Sequence, residues 1–341
     1  MMHMKKMRKK YLLILYLSGL VFLCGCSPDS KPVISEMTAP TQDSTFIPST
    51  EPSSESVNEA LLPTEEINIG SRDNSPQCLV PEAGGIDEVS NEYASIDYSY
   101  ASEGYIMVRY TGPSPKVKLR ITGTDSVTYT YNLIGDEYEA FPLSSGDGSY
   151  DITVFENLSG TSYIICLTAN INAALTNEFG PYLYPNQYCK FDSTNETVKK
   201  AVELAQSANS DLEVVTNVYN YIIETITYDY EKAETVPSGY TADVDQILEN
   251  KTGICLDYAA VMTSMLRSQR IPTRLEVGYV GDAYHAWIST YITDMGWVNG
   301  IVQFDGENWK LLDPTFAANS NETELKNFIG DGSNYIVKYI Y

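Results

Sequence analysis

The spacing of apolar residues along the 341-residue chain changes period part-way through. Between residues 76 and 175 it alternates. In KVKLRIT, Val117, Leu119 and Ile121 share one face while Lys118 and Arg120 share the other; in SYDITVFE, Tyr150, Ile152 and Val154 alternate likewise. Period two is the spacing of a strand with one buried face. Similar runs lie near 94–100, 105–110, 127–133 and 163–171, separated by the turn signals GPSP, GTDS and SGDGS. Asp147, in SGDGS, reads as an Asp-Gly hairpin turn rather than a calcium loop. Six or seven short strands in about 100 residues predict a β-sandwich over 76–185.

From about residue 193 the period becomes helical. Ser210 and Glu213 have capping-box spacing, and Val215, Val218, Ile222, Ile223 and Ile226 then form one apolar face. A weaker helix is expected over 196–207 and a short one over DVDQILEN, residues 243–250. The next helix is expected to begin at Cys255, after Gly253, and to run about 15 residues. Arg267 and Arg270 sit near its end, where cations suit the helix dipole, and Pro272 stops it. Strand patterns return in RLEVGYV, YHAWISTYI, VQFDG and WKLLDPT. Residues 190–341 are therefore expected to be α+β, helices first and antiparallel strands second.

Composition changes the picture at the N-terminal end. Residues 27–75 are rich in Ser, Thr, Pro and Glu and bury too little apolar area to fold alone, so 26–75 reads as a disordered tether. A flexible coil of this length spans roughly 40 Å on average. Ahead of it, five basic residues precede an apolar run from Tyr11 to about Leu23, too short for a comfortable membrane span and laid out like an export signal. Leu23-Cys24-Gly25-Cys26 resembles the lipobox of bacterial lipoproteins. That resemblance implies removal of residues 1–25, lipid on Cys26, and a protein anchored on the extracytoplasmic face of the cell membrane. Loss of 1–25 removes five bases and no acids, leaving 17 against 45 and a net charge of −28. Such a charge argues against nucleic-acid partners.

Candidate chemistry centres on Cys255 in TGICLDYAAVMTSMLRS. A cysteine among apolar residues packs as a small hydrophobe unless something activates it. A helix N-terminus stabilises a thiolate, although Asp257, two residues on, opposes it. His285, in DAYHAWIS, is the one histidine after residue 3, and it follows Cys255 by 30 residues on an expected strand. Asp313, 28 residues further on in WKLLDPTF, closes another apolar run before Pro314. Thiol, imidazole and carboxylate in this order suit nucleophilic catalysis. Each also has an ordinary use: a histidine beside Trp287 packs in cores, and an Asp before Pro forms turns. Cys78, Cys166 and Cys189 remain besides Cys255, with no C-x-x-C spacing, so neither a zinc nor a redox site is expected.

TGICLDYAAVMTSMLRSQRIPTRLEVGYV, then YHAWI, then WKLLDPT, resembles the transglutaminase-like superfamily, and ITYDY at 226–230 is similar to that family's lead-in. The resemblance covers roughly 195–318. It implies a papain-like core with Cys255 as nucleophile, His285 as base and Asp313 as its orienter. It further implies thioester chemistry on amide bonds of peptide, protein or peptidoglycan substrates. The Cys255 backbone N–H is a candidate oxyanion donor. Tyr228, Tyr258, Tyr284 and Trp287 are candidates for oxyanion or substrate contacts, and each residue type is also common packing. Animal cross-linking members use calcium; no calcium loop of recognisable spacing is present, so no metal or cofactor is expected. Because the superfamily includes members without the triad, a non-catalytic wall- or protein-binding module is the alternative.

Overall fold

The structure, a computed structural model, describes residues 70–293, 295–299, 301–304, 309–312 and 335–341. The expected export signal, Cys26 and the expected tether up to residue 69 lie outside the described residues. Among the described residues no helix is long and apolar enough to cross a membrane.

Eight strands come first: β1 (Glu88–Ser90), β2 (Ala94–Asp97), β3 (Tyr105–Tyr110), β4 (Val117–Thr122), β5 (Thr128–Leu133), β6 (Glu139–Pro142), β7 (Gly148–Ser159) and β8 (Ser162–Ala173). They pair antiparallel as two four-stranded sheets, ordered β1-β2-β3-β6 and β5-β4-β7-β8. The alternation in the sequence explains the second sheet. Val117, Leu119 and Ile121 are all buried, and Leu119 lies opposite Val154 and Ile121 opposite Ile152, which are buried too. The strand β6, the segment EAFP, carries too few alternating residues to be legible; pairing with β3 creates it.

The second region adds α1 (Glu196–Ala205), α2 (Asp211–Thr225), β9 (Thr227–Tyr228), α3 (Tyr230–Thr235), α4 (Val244–Asn250), β10 (Thr252–Gly253) and α5 (Cys255–Ser268). Six strands follow: β11 (Thr273–Val280), β12 (Ala283–Ile292), β13 (Gly296–Asn299), β14 (Ile301–Phe304), β15 (Trp309–Leu312) and β16 (Tyr335–Ile340). Four of them form an antiparallel sheet ordered β13-β12-β11-β16. The arrangement is a β-rich N-terminal region followed by an α+β core. Ser210 caps α2, its hydroxyl accepting the Glu213 N–H at 3.2 Å, as the spacing predicts.

The helix α5 is the axis of this core. Every residue from Asp257 to Ser268 is buried, because α1, α2 and α4 cover one side and β11 and β12 the other. Arg267 is therefore not the solvated helix-end cation its position suggests. It is 1% exposed, and its guanidinium donates to the carbonyls of Thr273, Tyr184 and Tyr341. A buried guanidinium has to be hydrogen-bonded in this way.

Two further features concern how the chain is held together. Residues 70–75 share the tether's composition but are packed in place. Arg72 donates to Asp211 at 2.7 Å and to the Gln269 carbonyl at 2.6 Å, and Asn74 donates to the Ala208 carbonyl at 3.0 Å. Gly70 approaches so closely that a Cβ there would stand 2.0 Å from the Ala208 carbonyl oxygen. The described residues also belong to one compact unit, with a hydrophobic core running from the β-rich region into the helices. Tyrosines join the two. Tyr129 and Tyr131 of β5 pack edge-on against Tyr341, at centroid distances of 5.7 and 5.9 Å, and Tyr188 lies 4.1 Å from the same ring.

Candidate active site

Cys255 is the first residue of α5, and two features place it there. The parallel pair β9–β10 sets Thr227 beside Thr252 and Tyr228 beside Gly253, so the ITYDY segment lies along the approach to the cysteine. Asp257 then fixes the first turn: its Oδ2 accepts the Ile254 N–H at 2.9 Å, while the Asp257 N–H bonds back to the Ile254 carbonyl at 2.8 Å. This return explains Gly253. Its φ is not positive, so a tight turn is not the reason; a Cβ there would stand 2.7 Å from the Asp257 Cβ.

Asp257 is fully buried, and a buried carboxylate two residues from Cys255 would oppose a thiolate there unless balanced. Lys232 balances it. Its Nζ lies 2.5 Å from Oδ2, and the Tyr240 hydroxyl donates to Oδ1 at 2.7 Å. The Lys232 Nζ also donates to the Tyr240 hydroxyl at 2.8 Å. Burial opposes the ammonium, but the bonds to Asp257 and Tyr240 outweigh it and hold Lys232 above its ordinary pKa. Asp229 caps α3 by accepting the Lys232 N–H at 2.8 Å, so the ITYDY segment positions the counter-charge as well. The sequence reading recorded Asp257 as an adverse charge and missed its partners; an acidic residue on an otherwise apolar helix face was the available signal.

His285 lies on β12, 7% exposed, directly opposite Gly278 of β11. Directly opposed residues of an antiparallel pair share a face, so position 278 sets no side chain beside the imidazole. Gly278 is itself required by β16, since a Cβ there would stand 2.0 Å from the Ile336 carbonyl oxygen. The His285 ring stacks on Trp287 at 6.3 Å. Trp287 is buried and donates from Nε1 to Oε2 of Glu276 at 2.7 Å, so it supports the histidine strand from the core. Burial pushes the Glu276 carboxyl up, against its bonds with Ser289 and Trp287 and the charge of Arg274.

Cys255 and His285 open into one cleft of about 710 Å³. Tyr228 and Tyr284 line it. Tyr258 does not: it is fully buried, and its hydroxyl donates to the Ile226 carbonyl at 2.5 Å. Trp287 is likewise absent from the lining, and Asp313 lies outside the described residues. Part of the wall comes from the β-rich region, through Lys118, which the sequence pattern placed on the polar face of its strand, and through Thr130 and Asn132. Cys255 is half-buried, and all four described cysteines are free thiols. Burial pushes the thiols of Cys78, Cys166 and Cys189 up. No cluster of metal-binding side chains occurs among the described residues.

The family model of the transglutaminase-like superfamily matches residues 198–300. Among curated proteins the chain is similar to the uncharacterized protein YebA of Bacillus subtilis, 30% identical over 139 residues, which are 34% of this chain and 19% of that protein. It is also similar to the UPF0252 protein MJ1282 of Methanocaldococcus jannaschii, 26% identical over 166 residues, or 42% and 46% of the two chains. The chain thus spans less than half the length of either relative. Solved structures that overlap it include a Cytophaga hutchinsonii protein provisionally named a cysteine protease (TM-score 0.32, 15% identity, 67% of this chain and 69% of that one). Red sea bream transglutaminase overlaps at TM-score 0.27 and 14% identity, over 62% and 48% of the chains. The assignment rests on the family match, together with a cysteine opening a buried helix and a histidine on the adjoining antiparallel sheet: residues 198–300 are a transglutaminase-like domain.

Proposed function

We propose that the domain is a thiol enzyme that opens amide bonds through a thioester on Cys255. The observation that carries this reading is the placement of Cys255, at the first turn of α5, in the same cleft as His285. A first helical position leaves its N–H without an intrahelical acceptor and faces the positive end of the helix dipole. The thiolate attacks the amide carbonyl carbon, and the carbonyl π electrons move to oxygen, where the Cys255 N–H meets the developing charge. The protonated His285 then gives its proton to the leaving nitrogen as the C–N bond breaks, releasing the amine and leaving the acyl group on sulfur. Water resolves the thioester in a peptidase or amidase, and a second amine resolves it in an acyl transferase. Asp313 is proposed to orient His285. No cofactor is needed for these steps.

The chain is further proposed to act at the cell surface, lipid-anchored through Cys26, on peptide, protein or peptidoglycan amides, with the β-rich region forming a sandwich beside the cleft. The test is to trap the acyl-enzyme. A cell-surface extract incubated with the protein and quenched in acid is searched by mass spectrometry for an acyl adduct on the Cys255 peptide. An adduct identifies the substrate; persistent absence, with Cys255 unmodified under every extract fraction, leaves a binding module instead.

A further inference from the structure

Lys118 carries a charge that nothing described in the molecule uses. It projects from β4 into the wall of the cleft that holds Cys255 and His285. Its Nζ donates to Oδ1 of Asn132, its cross-strand partner on β5, at 2.6 Å. It makes no ion pair among the described residues. An ammonium has three donors, and one is committed. The amide that holds it is itself fixed. The Asn132 backbone carbonyl accepts from Gln187 Nε2 at 2.7 Å, and Gly239 closes over its side-chain nitrogen. A Cβ on residue 239 would stand 2.3 Å from Asn132 Nδ2, and φ there is +83°, a conformation natural to glycine. The loop around Gly239 continues to Tyr240, which bonds to Asp257 beneath the nucleophile, so this wall and the Cys255 turn are tied together.

The lining has a second property. Among the described residues of the cleft there is no aspartate or glutamate, although the whole chain carries −23. The rest of the wall near Lys118 is neutral and polar: Thr130, Asn132 and Gln187. Lys118 is thus the one Lys or Arg among the described residues lining a cleft that shows no Asp or Glu there, in contrast to the strongly acidic chain as a whole.

We propose that Lys118 is a specificity-determining residue that pairs with a carboxylate of the substrate, so that the enzyme acts on acidic peptides. This rests on the thiol-enzyme reading above and assigns its substrate class. Lys118 takes no part in bond breaking; it binds an anionic side chain or terminus while the amide lies against Cys255. The β-rich region is thereby part of the substrate site, not only a neighbour of it.

The test uses protection of Cys255 against iodoacetamide, read by peptide mapping of the full chain. The protectors are capped hexapeptides in which one position at a time is Glu or Gln. A charge-assisted bond predicts that at one position Glu protects about tenfold better than Gln in the wild type. In Lys118→Gln that ratio falls to about one, and in Lys118→Arg it is retained. Melting temperatures confirm that both variants are folded. A Glu preference that persists in Lys118→Gln, or no position with a Glu preference in the wild type, overturns the proposal. If Cys255 does not react with iodoacetamide even without peptide, the thiol-enzyme reading itself falls, which separates the two failures.

Discussion

Replacing Lys232 by methionine leaves the Asp257 carboxylate, fully buried, without its cation. Two acceptor contacts survive, from the Ile254 N–H at 2.9 Å and the Tyr240 hydroxyl at 2.7 Å. Removing one partner of a buried pair costs about 3–5 kcal/mol, much of it the penalty of an uncompensated charge. Lys232 keeps 29% of its side chain exposed, so water replaces part of what is lost and the lower end, about 3 kcal/mol, applies. At roughly 2–4 °C per kcal/mol for a domain of this size, the melting temperature falls by about 6–12 °C at pH 7. The deficit shrinks in the double variant Lys232→Met/Asp257→Asn, where no bare charge remains. Lys232→Met alone should slow alkylation of Cys255 at neutral pH, since an unbalanced anion then sits two residues away. Thermal melts of the four proteins of the cycle at neutral pH make the measurement. A Lys232→Met melt within about 2 °C of wild type, or a double variant less stable than Lys232→Met, refutes the account of how the nucleophile's turn is held.

Two other expectations concern the strand under His285 and the membrane. The pKa of Glu276 is raised by burial, so its contribution to stability is present below the unfolded value of about 4.3 and is lost as pH rises through the higher folded value. Glu276→Gln should therefore flatten the fall in melting temperature between about pH 4 and pH 7, and parallel curves for the two proteins would contradict this. Cys26→Ser should release the protein from membranes or leave it unprocessed, since the acyl chains supply the membrane affinity; a processed form that still sediments with membranes would disprove the anchor.

How much of this was legible in the sequence depended on the range of the interaction. Period-two alternation located β4 and β7, and capping chemistry located α2, because both are written in neighbouring residues. That Cys255 and His285 belong together was legible because few residue types do thiol chemistry and this chain has a single histidine after residue 3; the structure places both in one cleft. What failed was the meaning of polar residues whose partners are distant in the chain. Arg267 looked like a helix-end cation, yet one of its acceptors, the Tyr184 carbonyl, is 83 residues away. Lys118 looked like a solvated strand residue, because nothing local shows that the other region closes over that face. Asp257 looked adverse until Lys232, 25 residues earlier, supplied the counter-charge. Arg72 looked like tether until its bonds to Asp211 and Gln269, across almost the whole fold, tied it down.

The central claim is that Cys255 is a nucleophile served by His285. The direct measurement is the rate of iodoacetamide alkylation at Cys255 against pH, in wild type and in His285→Ala, with Cys78, Cys166 and Cys189 mapped in the same samples. Burial holds those three thiols up, so they should react slowly near neutrality. The account predicts that Cys255 reacts fastest near pH 7 in wild type, and that its profile moves to higher pH in His285→Ala as the imidazolium partner of the thiolate is lost. Superimposable profiles in the two proteins, or a Cys255 unreactive below about pH 9, would contradict it.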